Sequence, residues 1–586
     1  MIDEKTLYDK IYACWLGKNI GGTLGAPTEG RKELLDISWY PRLPQGAAIP
    51  NDDLDLQLLN LHAAEQYGPG LTSADIAAEW CEHVFFPWDE YGAALTAMRY
   101  GFVPPYSGGF DNHFTDCMGS PIRSEIWAAI CAGNPAAAAY YAWQDAVVDH
   151  AGGEGVWGEI FNAVLEAMAF LTTDRERLIE DALTYIPEHS RVYRAVAYAL
   201  GLFRDGADYR TARELTLKHH GRYNFTDAPQ NIAFQTIGLL WGDDFEDVLL
   251  KTVNLGYDTD CTVATLGAIL GIMYGRAFIP EKWSAPIGDA ICVSPQVRGF
   301  PAPANLDELT RRTITLRRVF MADGGRYEIL PGSLSDMLSQ RFTLPAGCRE
   351  GVEFRLCYDS GPAISSDFPC RVSVNIVNNT FVPWKMYIKT VTPPGFIAND
   401  PGEIIVAAGG CGSFDCTVKA LGEYERINRF AFAITRINDN APWFKYRIPF
   451  TILGANRWVL GGRAVYVPGS TVSFEDGSTD GIYIAEGVLY APADRDTQVI
   501  CATECPVVVT IDGKTCINSP DSQPFLPAYH RAPAPQRTTL RLAEGRHEVR
   551  VELRSSEPPR FVFALTAPRQ VSEPGNYYAY IDDWMV

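Results

Sequence analysis

The stretch Asn254-Leu-Gly-Tyr-Asp-Thr-Asp-Cys-Thr-Val-Ala-Thr-Leu-Gly-Ala-Ile-Leu-Gly271 constrains this chain more than any other. Asp258 and Asp260 sit one residue apart, and an almost wholly apolar segment, Val263 to Met273, follows at once. Apolar and small residues fall on every face of that segment, which predicts a buried helix rather than an amphipathic surface one. Acids at a helix start are favoured by the dipole. Dipole matching alone does not account for two charges at the mouth of a segment that must be buried. Unpaired buried carboxylates are costly, so these need a cation, a dense set of donors, or a metal.

A second stretch has the same design. Asn51-Asp-Asp-Leu-Asp-Leu-Gln-Leu-Leu-Asn-Leu61 opens with a good N-cap residue, then two acids, then apolar residues at 54, 58 and 61 in helical spacing. Taken alone it reads as a cap with dipole-friendly acids. Two acidic helix mouths in one chain say more. If they face each other, Asp52, Asp53, Asp258 and Asp260 converge, and like charges so close require divalent cations. Oxygen ligands of this kind suit Mg²⁺ or Mn²⁺.

Together these motifs resemble the two metal motifs of the ADP-ribosylglycohydrolase family. Gly17-Lys-Asn-Ile-Gly-Gly-Thr-Leu-Gly-Ala-Pro-Thr-Glu29 is similar to that family's first glycine-rich helix, which ends in a functional Glu. Cys117-Met-Gly-Ser-Pro-Ile-Arg-Ser-Glu125 and Asp145-Ala-Val-Val-Asp-His150 fall where the family has its substrate loop and its Asp-Ala…His segment. The likeness spans about the first 320 residues. It implies a site of two Mg²⁺ or Mn²⁺ ions, with Asn51, Asp52, Asp53, Asp258, Asp260 and Cys261 as metal residues. It implies catalytic roles for Glu29, Asp53 and Asp258, and substrate contacts at Asp111, His113, Arg123, His150 and Gly153. Arg123 reads equally as an ordinary salt-bridge partner, and a loop histidine such as His150 as a structural one. Asp116 is a loop acid whose ordinary fate is solvated surface.

The chain departs from the family pattern at four places. Asn51 and Cys261 stand where the family has Thr, Gly22 where an acid is common, and Leu54 follows the acidic pair in place of Thr. A thiol is a poor Mg²⁺ ligand. At a helix start the dipole is expected to lower the Cys261 pKa, with a water standing between its sulfur and the ion.

At 586 residues the chain exceeds what one core usually supports, so two to four domains are expected. The pattern is helical from Met1 to about Gly325, with caps at Ser73 and Asn134 and close helix approach allowed by Gly21, Gly22 and Gly25. The loops Tyr100 to Met118 and His219 to Asn231 are long and rich in Gly, His, Asn and aromatics. Beyond Arg326 the period changes to two. Arg371-Val-Ser-Val-Asn-Ile-Val alternates strictly, and Asp512-Gly513 marks a hairpin. The expected division is an all-α domain over 1–325, an immunoglobulin-like β-sandwich over 326–454 and a jelly-roll-like β-sandwich over 455–586.

A net charge of -21 argues against nucleic-acid and anionic membrane surfaces as partners. The N-terminus shows no secretory signal, and the 14 cysteines form no zinc-like grouping, so a cytoplasmic location is expected. Oligomeric state has no signature here. Three functions fit these residues: metal-assisted hydrolysis at C1 of an ADP-ribosyl or ribosyl group, hydrolysis of a furanosyl or other small glycoside at the same site, or binding of a sugar or metal without turnover.

Overall fold

The computed structural model describes residues 2–42, 44, 46–322, 351–359, 361–438, 441–567 and 584–586, with the side chains of 438–444 and 584 left aside. The expected boundary at 325/326 lies outside the described residues.

The helical part comprises α1 (Glu4–Gly25), α2 (Asp52–Tyr67), α3 (Ser73–His83), α4 (Asp89–Tyr100), α5 (Tyr106–Gly109), α6 (Glu125–Ile130), α7 (Pro135–Ala146) and α8 (Glu154–Ala169). It continues with α9 (Arg175–Leu183), α10 (Arg191–Arg204), α11 (Tyr209–His220), α12 (Ala228–Trp241), α13 (Phe245–Val253), α14 (Thr259–Tyr274), α15 (Glu281–Ser284) and α16 (Leu306–Phe320). Local signals set several starts. Asn134 caps α7 through the Ala137 N–H, with proline at the first helical position. Ser190 caps α10 and Asp174 caps α9 in the same way. Among the described residues no helix is long and apolar enough to cross a membrane.

The spine of the helical part is the antiparallel pair α1 and α14. A Cβ on Gly17 would sit 2.0 Å from the Gly267 carbonyl oxygen, one on Gly21 2.2 Å from that of Val263, and one on Gly25 2.3 Å from that of Thr259. Glycine at every fourth position therefore lets the two backbones touch along three turns. Adding one methyl at Gly21 would force them apart, at a cost of about 1–3 kcal/mol or more. Neither helix has a polar face, as expected for elements surrounded by others: Ile11 through Gly25, apart from Tyr12, and Thr259 through Met273 are buried.

Alternating sequence then gives two β-sandwiches. The first contains β1 (Val352–Tyr358), β2 (Ala363–Ile364), β3 (Cys370–Asn378), β4 (Trp384–Val391), β5 (Phe396–Ala398), β6 (Gly402–Val406), β7 (Cys411–Ala420), β8 (Ile427–Asn438) and β9 (Ala441–Gly454). Its sheets run β1-β3-β7-β5 and β2-β9-β8-β4-β6. Val372, Val374 and Ile376 of β3 point into one core with Met386, Ile388, Phe430 and Phe432 of the facing sheet.

The second contains β10 (Asn456–Leu460), β11 (Arg463–Val467), β12 (Thr471–Ser473), β13 (Ile482–Ala491), β14 (Arg495–Ala502), β15 (Val507–Ile511) and β16 (Lys514–Ser519). It is completed by β17 (Arg537–Leu542), β18 (Gly545–Arg554), β19 (Arg560–Thr566) and β20 (Trp584–Met585). One sheet runs β11-β10-β13-β18-β15-β16 with β20 beside β13, and the other runs β12-β19-β14-β17. Asp512 and Gly513, at φ +50° and +73°, close the β15–β16 hairpin as an Asp-Gly turn does. The Glu544-Gly545 turn joins β17 to β18, which lie in different sheets.

The described residues divide into two compact units. One holds those of 1–86 and 103–322, the other those of 87–102 and 351–586. Helix α4 thus belongs with the sandwiches. Arg429 of β8 donates to the Arg99 and Tyr100 carbonyls at 3.1 Å each, and Thr451 of β9 to Tyr100 at 2.6 Å. These donors satisfy orphan carbonyls and match the dipole at the C-terminal end. At the other end, Arg531 pairs with Asp89 at 2.6 Å, and Trp88 packs on Ile500, Ala502 and Tyr529.

Candidate metal centre

Helix packing brings the two acidic mouths together. Asn51 caps α2 by accepting from the Asp53 N–H at 2.9 Å, which fixes Asp52 and Asp53 in the first turn. Asp258 is the N-cap of α14, with Asp260 in its first turn. The Asn51 amide also donates to Asp260 Oδ2 at 3.3 Å, joining one mouth to the other. A Cβ on Gly22 would meet that same amide nitrogen at 3.3 Å, so the glycine that replaces the family's acid faces the Asn that replaces its Thr.

Glu29 arrives from the turn after α1. Thr28 bonds Thr259 at 3.1 Å, and Thr259 donates to the Gly25 carbonyl at 2.8 Å. Beyond Glu29, the Gly30 N–H donates to Tyr257 O and the Tyr257 N–H to Arg31 O. Tyr257 itself sits at φ +68°, an uncommon backbone state for a bulky residue, directly before Asp258. The outcome is two overlapping groups, Glu29–Asp258–Asp260 and Asp53–Asp260–Cys261, each with ligand atoms within 4.8 Å of one another.

The electrostatics are those of a site short of positive charge. Burial, then the neighbouring Asp53, Asp55 and Asp258, pushes Asp52 up to about 8. Burial and Asp260 push Asp258 well above the carboxylate range, and burial with Glu29, Asp53 and Asp52 does the same to Asp260. Among the described residues no N–H or O–H reaches Asp258 Oδ1, Asp258 Oδ2 or Asp260 Oδ1, although all three are buried. Asp53 has one cation near it, Lys18 Nζ at 3.2 Å from Oδ1. That contact is an ion pair without hydrogen-bond geometry, because both Asp53 oxygens are also unbonded. Orphaned buried carboxylates facing one another fit hard divalent cations.

Cys261 departs from expectation. Burial and the carboxylates of Asp258, Asp53 and Asp260 push its thiol well above the usual range. The dipole's pull toward thiolate loses to burial first, and then to the carboxylates at the mouth of its own helix and of α2.

Two functional neighbours are absent from the motif reading. Lys18, only 1% exposed, reaches Glu125 Oε1 at 2.7 Å and the Ile122 carbonyl at 2.8 Å as well as Asp53. Burial works to discharge it, and Glu125 with Asp53 outweighs burial, so its ammonium is held above the ordinary value. Asp55, one turn inside α2, accepts the Ser294 N–H and is pushed up to about 7 by burial. A lysine in a helix with no polar face was the signal available for the first.

The expected substrate contacts fall in two places. Asp111, at φ +51° and half-buried, and the exposed His113 lie on the loop after α5, with His113 Nε2 3.9 Å from Asp111 Oδ1. Arg123, His150 and Gly153 are buried instead. Arg123 is 0% exposed, bonded to Asp145, Asp149 and the Gly119 carbonyl. Of its two sequence readings, the salt-bridge partner is the one this geometry matches, and its guanidinium has no open face for a substrate. His150 stands against Asp149 at 3.0 Å, also without exposure. A Cβ on Gly153 would lie 2.1 Å from the Thr115 carbonyl oxygen, so glycine there serves close packing. Asp116 is likewise structural. It accepts from the Glu154 N–H at 2.9 Å and pairs with Arg191 at 3.1 Å, near the bridge between Cys117 and Asp227 that ties the two long loops together.

Comparison with known proteins identifies the family of the helical part. The family model for ADP-ribosylglycohydrolase matches residues 3–319. An uncharacterized protein of Archaeoglobus fulgidus is 24% identical over 301 residues, 48% of this chain and 92% of its own length. The ADP-ribosylarginine hydrolase Tri1 of Serratia proteamaculans is 46% identical over 41 residues, 7% of this chain and 11% of that protein. Among solved structures, an ADP-ribosylglycohydrolase-related protein complex is similar at 22% identity and a TM-score of 0.36, covering 54% of this chain and 100% of that one. With more than half of its residues matched by the family model, this chain belongs to the ADP-ribosylglycohydrolase family, a family of hydrolase type.

Proposed function

We propose that the chain is a metal-assisted hydrolase that cleaves the glycosidic bond at C1 of an ADP-ribosyl group. The observation that carries this reading is the convergence of Glu29, Asp52, Asp53, Asp258 and Asp260, in which buried oxygens of Asp53, Asp258 and Asp260 have no N–H or O–H hydrogen-bond donor among the described residues. Asp52, Asp53, Asp258 and Asp260 would hold Mg²⁺ or Mn²⁺, two ions in this reading. When bound, such ions supply positive charge that orients ribose hydroxyls and eases deprotonation of water.

The chain's own residues do the rest. Glu29 is the exposed member of its group, so it faces the attacking water and takes its proton. The bond from C1 to the leaving group breaks through an oxocarbenium-like state, whose positive charge the surrounding carboxylates favour. Asn51, already engaged as cap and as donor to Asp260, acts by positioning, and Lys18 holds Asp53 in place. Asp111 and His113 are the remaining candidates for substrate contact. Arg123, His150 and Gly153 act by shaping the frame.

A second reading keeps the site and takes a furanosyl glycoside as substrate. The paired β-sandwiches, together with Asn51 and Cys261 in place of Thr, favour it. The deciding experiment incubates the full chain and its Asp258→Asn variant, with Mg²⁺ or Mn²⁺, against an ADP-ribosylated arginine protein and a panel of nitrophenyl furanosides. Release of ADP-ribose that Asp258→Asn abolishes is the expected result. Turnover of a furanoside alone moves the assignment to the second reading, and metal binding with no turnover removes both.

A further inference from the structure

The far end of α2 carries a second group of metal-ligand types. His62 is on α2, and Glu79 and His83 are one turn apart on α3; they are 9%, 6% and 5% exposed. His62 lies nine residues beyond Asp53 on the same helix, which at 1.5 Å per residue separates it from the carboxylate cluster by about 14 Å. Neither the acidic motifs nor the proposed hydrolysis uses these side chains.

The geometry is that of a ligand set. Glu79 Oε2 is 3.5 Å from His62 Nε2 and 3.4 Å from His83 Nε2. One ligand atom from each residue lies within 4.8 Å of the other two. Nitrogen and oxygen ligands at ~2.0–2.1 Å from a tetrahedral zinc stand about 3.3 Å from each other. Direct charge-assisted N–H···O bonds are shorter, about 2.7–2.9 Å. The separations therefore suit an ion between the groups better than a proton.

Hydrogen bonding fixes the same conclusion at His83. Its Nδ1 is 2.9 Å from the Arg298 carbonyl, which can only accept, so Nδ1 carries the proton in the neutral ring and Nε2 presents a lone pair. That lone pair faces Glu79 Oε2, a buried acceptor with no hydrogen-bond partner among the described residues. Two acceptors held together out of water repel unless a cation lies between them. A backbone carbonyl on the far nitrogen is also how metal-binding histidines are oriented. The surroundings are built to match. The Phe300 ring stacks on His62 at 5.4 Å and meets His83 edge-on at 5.5 Å. His62 Nδ1 has no such partner, so His83 is the better oriented of the two imidazoles.

We propose that His62, Glu79 and His83 form a structural site for Zn²⁺, or a similar borderline divalent ion, that clamps α2, α3 and the segment 294–300. Two imidazoles and one carboxylate are ligands that zinc accepts and that Mg²⁺ does not favour. The clamp has a reach beyond its own ligands. The Arg298 N–H donates to the His83 carbonyl and Val84 bridges Val297, while Ser294 in the same segment holds Asp55 beside the acidic mouth. This inference does not rest on the hydrolase reading.

The test uses the full chain carrying Asp53→Asn, Asp258→Asn, Asp260→Asn and Cys261→Ser, so that each ligand group of the carboxylate cluster loses at least two of its three members. Stripped with a chelator and reloaded with Zn²⁺, this parent is expected to retain one zinc per chain through gel filtration. Adding Glu79→Gln or His83→Ala should weaken zinc binding roughly tenfold or more. A parent that retains no zinc, or variants that bind it as tightly as the parent does, would overturn the proposal. Because either variant can fail to fold, Co²⁺ is also loaded into the parent. Intense tetrahedral d–d absorption supports the site, and a weak octahedral spectrum alone refutes it.

Discussion

Two clusters of buried charge lie in the helical unit, and they are opposites. Around Arg123 the protein supplies its own cation. Burial works against the Asp149 charge, but Arg123 and His150 more than offset it and hold that carboxyl at about 2. Around Asp258 the protein supplies carboxylates without enough cation, since Lys18 is shared between Asp53 and Glu125 and Asp52, Asp53, Asp258 and Asp260 are all pushed upward. The innermost carboxylates of the two sets, Asp145 and Asp149 in one and Asp53 and Asp258 in the other, are equally enclosed, so burial does not distinguish a structural ion cluster from a binding one. The unmatched charge does.

Deleting the internal cation should have the largest effect. Arg123→Ala leaves Asp145 and Asp149 buried without their partner, and is expected to destabilise the chain by about 3–5 kcal/mol in urea unfolding. A loss below about 1 kcal/mol would mean that the cluster is no tighter than a surface pair.

Acid should expose the same cluster by titration. The Asp149 pKa is lowered from 3.8 to about 2, so its contribution is complete above pH 4 and is lost as pH falls through 4 toward 2. The amount is on the order of 2 kcal/mol. Unfolding free energies measured down this range should fall steeply in the wild type. In Asp149→Asn, already weaker at neutral pH, that part of the slope should be missing.

In the other cluster, removing a charge should have the reverse sign. Asp258→Asn is expected to abolish Mg²⁺ and Mn²⁺ binding while apo stability holds or rises by on the order of 1 kcal/mol, one pK unit of relieved repulsion. Calorimetric titration and apo melting on the same sample give both numbers. Normal metal content, or a stability loss like that of Arg123→Ala, would erase the contrast between the clusters.

The smallest effect is expected at Cys261. Exchanging a soft sulfur for a hard oxygen in Cys261→Thr should leave Mg²⁺ affinity equal or up to about tenfold tighter. A collapse of metal affinity in that variant would give the sulfur a direct role.

Much of this was legible where the cause is local. The caps at Asn51 and Asn134, the close approach at Gly21 and Gly25 and the Asp512-Gly513 hairpin each depend on a few neighbouring residues, and the structure builds them as the sequence predicts, while Gly22 faces Asn51 instead. What was hidden depends on distant partners. Lys18 meets Glu125 across 107 positions, and nothing within either segment announces the other. The Cys261 thiol follows its burial and the carboxylates gathered at both helix mouths rather than its own helix dipole. Arg123 could be read two ways until Asp145 and Asp149 were seen on either side of it.

Helix α4 carries one more consequence, and it concerns time. Its Tyr100 carbonyl is bonded by Arg429 and Thr451, made 329 and 351 residues later. At about 5–20 residues per second, a ribosome needs roughly 15–70 s to deliver those partners. Through that interval the last carbonyls of α4 lack the donors that satisfy them in the finished protein. The nascent helical half therefore waits with the C-terminal end of α4 bonded to water alone, and that end is fastened only when β8 and β9 have been made.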